Sequence, residues 1–303
     1  MGELNGGDGL SQRAEVKRIT IEDLHPVVPS ENGTVIAVMR NAKDDRSETA
    51  PDRGALKPEA AQATYEHALA FFEGIVGSIT ETEKGSLDFL VVASDTTLIT
   101  PVITAEHKRA VETADQVMRA LKETMMKYSL PDEQLLNKSG QPIELESGRM
   151  TDLEMMKKNP EFVEELKKRH TKDGVFQEFG KDGFWAEYEI DPQELQQLRA
   201  EMGNVEGHGD AGDRVHDYIR VLVRALALRH ERHPGRRTVA VAVGHYDSLS
   251  PWLKRHVVNE DFPDFTQELP IEQGAGVVLK IEPDSNYAET AIQGNPYKIP
   301  LGV

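Results

Sequence analysis

Two short apolar stretches of this chain end in polar residues that could bind an anion together. Residues 34–39 run into Arg40 and Asn41, and residues 239–243 are followed, after one glycine, by His245. In an α/β sheet, ligands bind at the edge where the carboxyl ends of parallel strands meet. A guanidinium donates paired hydrogen bonds that match two oxygens of a phosphoryl group, and an imidazole can donate another. The pattern therefore predicts a binding site at the carboxyl edge of a sheet, with donors that suit an anion.

A third stretch supplies a further arginine. Arg109 stands in a Lys-Arg-Ala sequence that is followed, after two residues, by Thr-Ala, where the pattern predicts the opening of a helix. Together with Arg-Asn-Ala at 40–42 and Gly-His-Tyr-Asp-Ser at 244–248, this stretch resembles the histidine phosphatase (phosphoglycerate mutase-like) superfamily. The resemblance covers residues 34–122 and 215–253.

The resemblance implies which residues would hold a phosphoryl group. Arg40, Arg46 and Arg109 fit the family's three arginines, and His245 fits its second histidine, which donates to the phosphoryl oxygens. The implied ligand is a small phosphorylated molecule or phosphate itself. We expect no cofactor and no metal site, because the sequence shows no metal-ligand spacing such as His-Glu-x-x-His.

The chain departs from the family at the position that would carry the chemistry. The family's first strand ends in Arg-His-Gly or Arg-His-Ala, and that histidine becomes a phosphohistidine during hydrolysis or transfer; here the position holds Asn41. An amide nitrogen has no lone pair free for attack, so we expect little or no turnover. Two explanations stay open. The chain is a natural pseudo-phosphatase that acts as a non-catalytic phospho-ligand-binding or regulatory protein, or it is a phosphatase whose histidine at position 41 has been replaced.

A phosphatase also needs a general acid that protonates the leaving oxygen. A carboxyl group whose pKa is raised by burial suits this role, and Glu187 and Glu178 lie among the aromatic residues of positions 176–188. Because the chain has 52 acidic residues, a solvated surface carboxylate is the competing interpretation of both. Glu187 is the acid candidate that the sequence offers.

The apolar periodicity predicts the elements that would position these residues. Strands and helices alternate, which favours a three-layer α/β fold with a mostly parallel central sheet and helices on both faces. The predicted strands are 34–39, 87–93, 238–243 and, last, 276–281, and the predicted core helices are 58–79, 105–127 and 213–233. We expect a flexible arm over residues 1–30 and one domain over 31–303, with an inserted cap at about 128–210.

Composition restricts the partners. A formal net charge of -17 argues against broad nucleic-acid binding, which normally needs a basic surface. Screening over about 8 Å at physiological salt still lets a local arginine cluster bind an anion. No apolar run is long enough to cross a bilayer and no signal pattern begins the sequence, so we expect a cytoplasmic protein without a membrane partner. The sequence leaves the oligomeric state open.

Overall fold

The computed structural model of the protein places one sheet between two layers of helices. The residues that it describes are 19–42, 56–94, 108–145, 160–177, 183–203, 205–258 and 271–302. Within these ranges, no helix combines the length and the apolar character needed to cross a membrane.

The middle layer is a mixed sheet of seven strands. In chain order, these strands are β1 (Thr34–Arg40), β2 (Leu87–Ser94), β3 (Ile143–Leu145), β6 (Arg237–Gly244), β7 (Gly276–Ile281), β8 (Tyr287–Ile292) and β9 (Asn295–Pro300), while β4 (Thr171–Lys172) and β5 (Val175–Phe176) form a separate hairpin. The spatial order is β3-β2-β6-β1-β7-β8-β9. The first four of these are parallel, and the last three continue the sheet antiparallel. Strands β1 and β6 are buried on both faces, which suits their nearly continuous runs of small and β-branched apolar residues.

Helices cover both faces of the sheet. The described helices are α1 (Pro58–Gly77), α2 (Glu81–Lys84), α3 (Lys108–Lys127), α4 (Pro160–Arg169), α5 (Phe184–Ile190), α6 (Gln193–Glu201), α7 (His208–Arg232) and α8 (Tyr246–Trp252), and α8 continues as a π-helical segment, Leu253–Val258. On one face, α1 and α3 pack against Val35, Ala37 and Met39 of β1. On the other, α7 and α8 pack against Ile36 and Val38. The predicted three-layer α/β fold is thus confirmed, and the site strands lie in its parallel half.

The start of the described chain is more ordered than the sequence pattern indicates. Residues 19–30 belong to the predicted flexible arm, yet Ile19 is fully buried and forms a parallel bridge with Ile271. The carboxylate of Asp23 accepts a hydrogen bond from the backbone N–H of Gln293 at 2.8 Å. One buried isoleucine and one paired carboxylate therefore fasten this segment to the domain. Residues 1–18 lie outside the described residues.

The cap and the end of the chain also differ from the prediction. Residues 143–145, which fall in the predicted cap, form β3 and pair with β2, so the first part of that region belongs to the core. Beyond the strand predicted as the last, β8 and β9 form a hairpin that makes β7 an interior strand. The sequence pattern stops at β7 because the buried positions of β8, such as Ala288 and Thr290, are small or polar.

Candidate functional site

The two predicted polar strand ends lie side by side. Strands β1 and β6 pair in parallel register with Arg40 opposite Gly244, and the backbone N–H of Asn41 donates to the carbonyl of Gly244 at 2.9 Å. Asn41 and His245 therefore leave the sheet on neighbouring strands at the same edge. Both residues are buried, with 4% and 7% of their surface exposed. The structure thus brings together two segments that are far apart in sequence.

The guanidinium of Arg40 packs on the residue that follows His245. Its Cζ atom lies 4.6 Å from the ring centroid of Tyr246, within the range of a cation–π contact. Its Nη1 atom donates to the carbonyl of Ile271 at 2.5 Å. Because side chains alternate along a strand, Arg40 points to the face that carries α8, while Asn41 follows the opposite alternation. The aromatic ring at position 246 thereby contributes to holding Arg40 at the site edge.

The amide of Asn41 is held by neighbouring backbone. Its Nδ2 atom donates to the carbonyl of Ala42 at 3.0 Å. The backbone carbonyl of Asn41 accepts from the N–H of Gly274 at 3.3 Å, and Gly274 has a φ of +82°, which favours glycine. Asn41 therefore has backbone partners for its side-chain amide and for its main-chain carbonyl.

The first turn of α3, which carries Arg109, is joined to the same edge through a threonine. The N–H of Ala42 donates to Thr113 Oγ1 at 3.0 Å, and Thr113 Oγ1 donates to the carbonyl of Arg109 at 2.6 Å. Thr113 is fully buried. A hydroxyl can donate and accept at once, so this one side chain joins the first turn of α3 to the residue after Asn41. The sequence pattern contained the Thr-Ala pair but gave no indication of this bridge.

His245 links β6 to α8. Its carbonyl accepts hydrogen bonds from the N–H groups of Ser248 and Leu249 and from the hydroxyl of Ser248, at 3.2, 3.0 and 3.0 Å. These contacts fix the turn that carries the imidazole. The prediction that this histidine lies in a turn at a strand end therefore agrees with the structure.

Ser94 is a further polar residue at this edge, and the sequence reasoning missed it. It ends β2, whose neighbouring residue Ala93 pairs with Val243 of β6. Ser94 is fully buried, and among the described residues its hydroxyl has no hydrogen-bond partner. Buried polar atoms are rarely left in this state. The signal in the sequence was a serine that directly follows a buried apolar run, the same signal that marked Arg40.

The structure does not bring Glu187 to the strand ends. This residue lies on α5, and its carboxylate is 2.5 Å from His170 Nε2 and 3.4 Å from Arg169 Nη1. Both contacts are to the end of α4 and its following residue, so among the described residues Glu187 ties two elements of the insertion to each other. The other acid candidate, Glu178, and the predicted phosphate ligand Arg46 lie outside the described residues.

A buried carboxylate two residues further on connects the insertion to the site. Glu189 accepts a hydrogen bond from Ser250 at 3.1 Å and another from the ammonium of Lys254, and His208 Nε2 lies 3.8 Å from its Oε1. These four residues, the Glu189 cluster, are each at most 5% exposed. Burial, with the nearby charges of Lys254 and Arg255, lowers the pKa of His208 to about 3. The cluster attaches α5 to the helix that follows His245.

Other classes of site find less support. Among the residues that the structure describes, no group of three or more His, Asp and Glu side chains is placed to hold a metal ion.

Comparisons with protein-family models and with curated proteins found no match to this chain, so functional assignment rests on the residues and geometry given above.

Proposed function

We propose that this chain binds a phosphomonoester or inorganic phosphate at the carboxyl edge of β1, β6 and β2. The observation that carries the proposal is the pairing of Asn41 N–H with the Gly244 carbonyl, which sets Arg40 and His245 on neighbouring strand ends. The cation, the imidazole and the Ser94 hydroxyl supply hydrogen-bond donors of the kind that a phosphoryl group accepts. Arg109, on the helix turn tied to Ala42, is the second cation of the proposed site.

The local character of this site explains how an acidic protein can hold an anion. The net charge of -17 is spread over 303 residues, and salt screens distant charges beyond about 8 Å. A buried cation is screened less, and Arg40 is partly buried beside an aromatic ring. We therefore expect binding to depend on the nearby arginines far more than on the overall charge.

In the proposed mechanism, the residue at position 41 decides whether binding leads to chemistry. A neutral imidazole there would attack phosphorus and form a phosphohistidine, while the P–O bond to the leaving oxygen breaks and that oxygen takes a proton from solvent. Water would then hydrolyse the phosphohistidine and free phosphate. Asn41 can donate a hydrogen bond to the phosphoryl group but cannot form that bond. The chain with Asn41 is accordingly a binding protein in this proposal, resembling the histidine phosphatases without their nucleophile.

Calorimetric titration with inorganic phosphate and with vanadate tests the binding. Arg40→Ala and Arg109→Ala should each weaken binding by about tenfold or more, because a hydrogen bond to a charged group contributes roughly 1.5–3 kcal/mol. Arg232→Ala is the matched control, because Arg232 is exposed at the end of α7. Arg229, three residues earlier, contacts Asp88 near the start of β2, so this end of α7 lies at the edge of the sheet opposite to the proposed site. Unchanged affinity in the Arg40 and Arg109 variants would contradict the proposed site.

The second candidate function is that of a natural pseudo-phosphatase, a non-catalytic phospho-ligand-binding or regulatory protein. It is favoured by the side-chain amide of Asn41, whose Nδ2 atom has a hydrogen-bond partner in the carbonyl of Ala42. An aryl phosphate assay of the chain and of Asn41→His separates the two. Strong turnover gained with histidine supports a phosphatase whose nucleophile has been replaced, and binding without any gain in turnover supports the regulatory protein.

A further inference from the structure

A pocket of about 160 Å³ lies on the opposite side of β1 from Arg40. The sheet, α1 and the chain segment before β1 form its walls. The residues that define it are Leu24, Ala37, Met39, Ala68, Phe71 and Val241. We call this space the α1 pocket. It exists because alanines at positions 37 and 68 stand where larger side chains would fill the layer between helix and sheet. Protein interiors otherwise contain few voids larger than a water molecule.

The walls of the α1 pocket suit a molecule without charge or hydrogen-bonding needs. Almost all of the lining is aliphatic or aromatic. Thr64, a polar residue of the wall, already donates its hydroxyl to the carbonyl of Ala60 at 2.8 Å. His67 and Ala70 are exposed and form the side of the pocket that faces solvent. The apolar inner walls offer a water molecule fewer polar partners than the two to four that buried water usually has.

We propose that the α1 pocket binds a small, neutral, apolar molecule of about the size of a benzene ring. Apolar protein cavities of about 150 Å³ remain dry and accept benzene or xenon, which sets the size of the occupant. A bound molecule would make the van der Waals contacts that the short alanine side chains leave unmade. The phosphate proposal is separate, because the described walls of the α1 pocket contain no lysine or arginine that would hold an anion.

The pocket borders the proposed phosphate site along the backbone. Met39 precedes Arg40, and Gly274, another wall residue, donates its N–H to the carbonyl of Asn41. An occupant of the pocket would therefore touch the strand and the loop that hold the residue at the nucleophile position. An occupant that displaces this strand or loop would also displace the carboxyl end of β1.

Benzene and xenon are the probes that test this proposal on the full-length chain. We expect saturable NMR shifts confined to methyl groups of the lining, such as those of Leu24 and Val241, together with a rise in melting temperature with benzene concentration. Ala68→Leu fills the pocket and should weaken benzene binding at least tenfold. Ala63→Leu makes the same change on the exposed side of α1 and should bind like the original chain.

Two results would overturn the proposal. One is the absence of saturable shifts with either probe in the unmodified chain, including the case in which another part of the chain fills the pocket. The other is equal benzene binding by the Ala68→Leu and Ala63→Leu proteins. Ala68→Val, a smaller addition, replaces Ala68→Leu if the leucine prevents folding. Because neither probe carries a phosphate, failure here would leave the phosphate titrations unaffected, and failure of those titrations would leave this result standing.

Discussion

The guanidinium of Arg40 and the ring of Tyr246 stack at 4.6 Å across the junction of β1 and β6. Tyr246 directly follows His245, so this contact ties the cation at the end of β1 to the segment that carries the imidazole. A cation–π contact of this kind contributes about 0.5–1 kcal/mol at accessible sites. Tyr246→Ala should therefore weaken phosphate binding by roughly two- to fivefold, measured by calorimetry, since 1.4 kcal/mol corresponds to a factor of ten. Tyr246→Phe keeps the ring and should bind like the original; equal losses in both variants would contradict a role for the ring.

Removing one partner of the buried pair of Lys254 and Glu189 should lower stability far more than replacing both partners. Lys254→Met leaves a buried carboxylate without its cation, and removal of one partner of such a pair costs about 3–5 kcal/mol. The double variant Glu189→Leu/Lys254→Met should recover most of that loss, because burying two apolar groups is often neutral. Urea unfolding of the two single variants and the double variant measures the coupling.

An exposed pair in the same protein provides the control for this cycle. Lys298 and Glu289 are 3.0 Å apart on β9 and β8, with side chains 69% and 53% exposed. Lys298→Met should change the free energy of unfolding by less than about 1 kcal/mol. A similar effect of Lys254→Met and Lys298→Met would show that the Glu189 cluster does not hold the insertion in place.

Acid should destabilise the protein through His208. Its pKa is lowered from 6.5 to about 3 in the folded protein by burial and by neighbouring positive charges. Below pH 6.5 the unfolded chain takes up a proton at this residue and the folded chain does not, so the free energy of unfolding decreases between about pH 6.5 and 3. The contribution reaches at most about 1.4 kcal/mol per pH unit. In His208→Gln this component should be missing, and parallel stability–pH curves for the two proteins would contradict the assignment.

The hydroxyl bridge of Thr113 should be needed for both stability and binding. Thr113→Val keeps the shape but leaves the buried N–H of Ala42 without its acceptor, which costs about 1–3 kcal/mol. Because the bridge places the turn that carries Arg109, phosphate affinity should decrease as well. Thr113→Ser retains the hydroxyl and should retain most of both properties. Unfolding curves and calorimetry on the two variants provide the measurements, and a valine variant with unchanged stability would rule out the bridge.

The sequence predicted the strand ends well because their signal is local. Arg40 and His245 each follow an apolar run, and a residue in that place lies at the carboxyl edge of its strand whatever the rest of the fold does. The confirmed three-layer architecture has the same origin, since the alternation of strands and helices is visible residue by residue. The contacts that these side chains make at that edge, in contrast, depend on residues that are distant in sequence.

The acid candidate shows where local reasoning fails. Glu187 and Glu189 stand in the same aromatic stretch, and two residues correspond to about 200° around a helix, so they face nearly opposite directions. The partners that decide which one is buried, Lys254 and His208, come from distant parts of the chain. The hairpin of β8 and β9 was missed for a different reason. Its turn signal, Gln293-Gly294 with both φ values positive, is weaker than the Asn-Gly or Asp-Gly usual in such turns.

The placement of β1 also governs how the molecule can assemble. Its partners on either side, β6 and β7, are synthesised roughly 200 residues later, so loop closure over most of the chain must precede any pairing of this strand. A nascent chain that ends before β6 leaves an apolar strand with both edges open to the wrong neighbours. Folding of this protein should therefore be a late, slow event that depends on its last third.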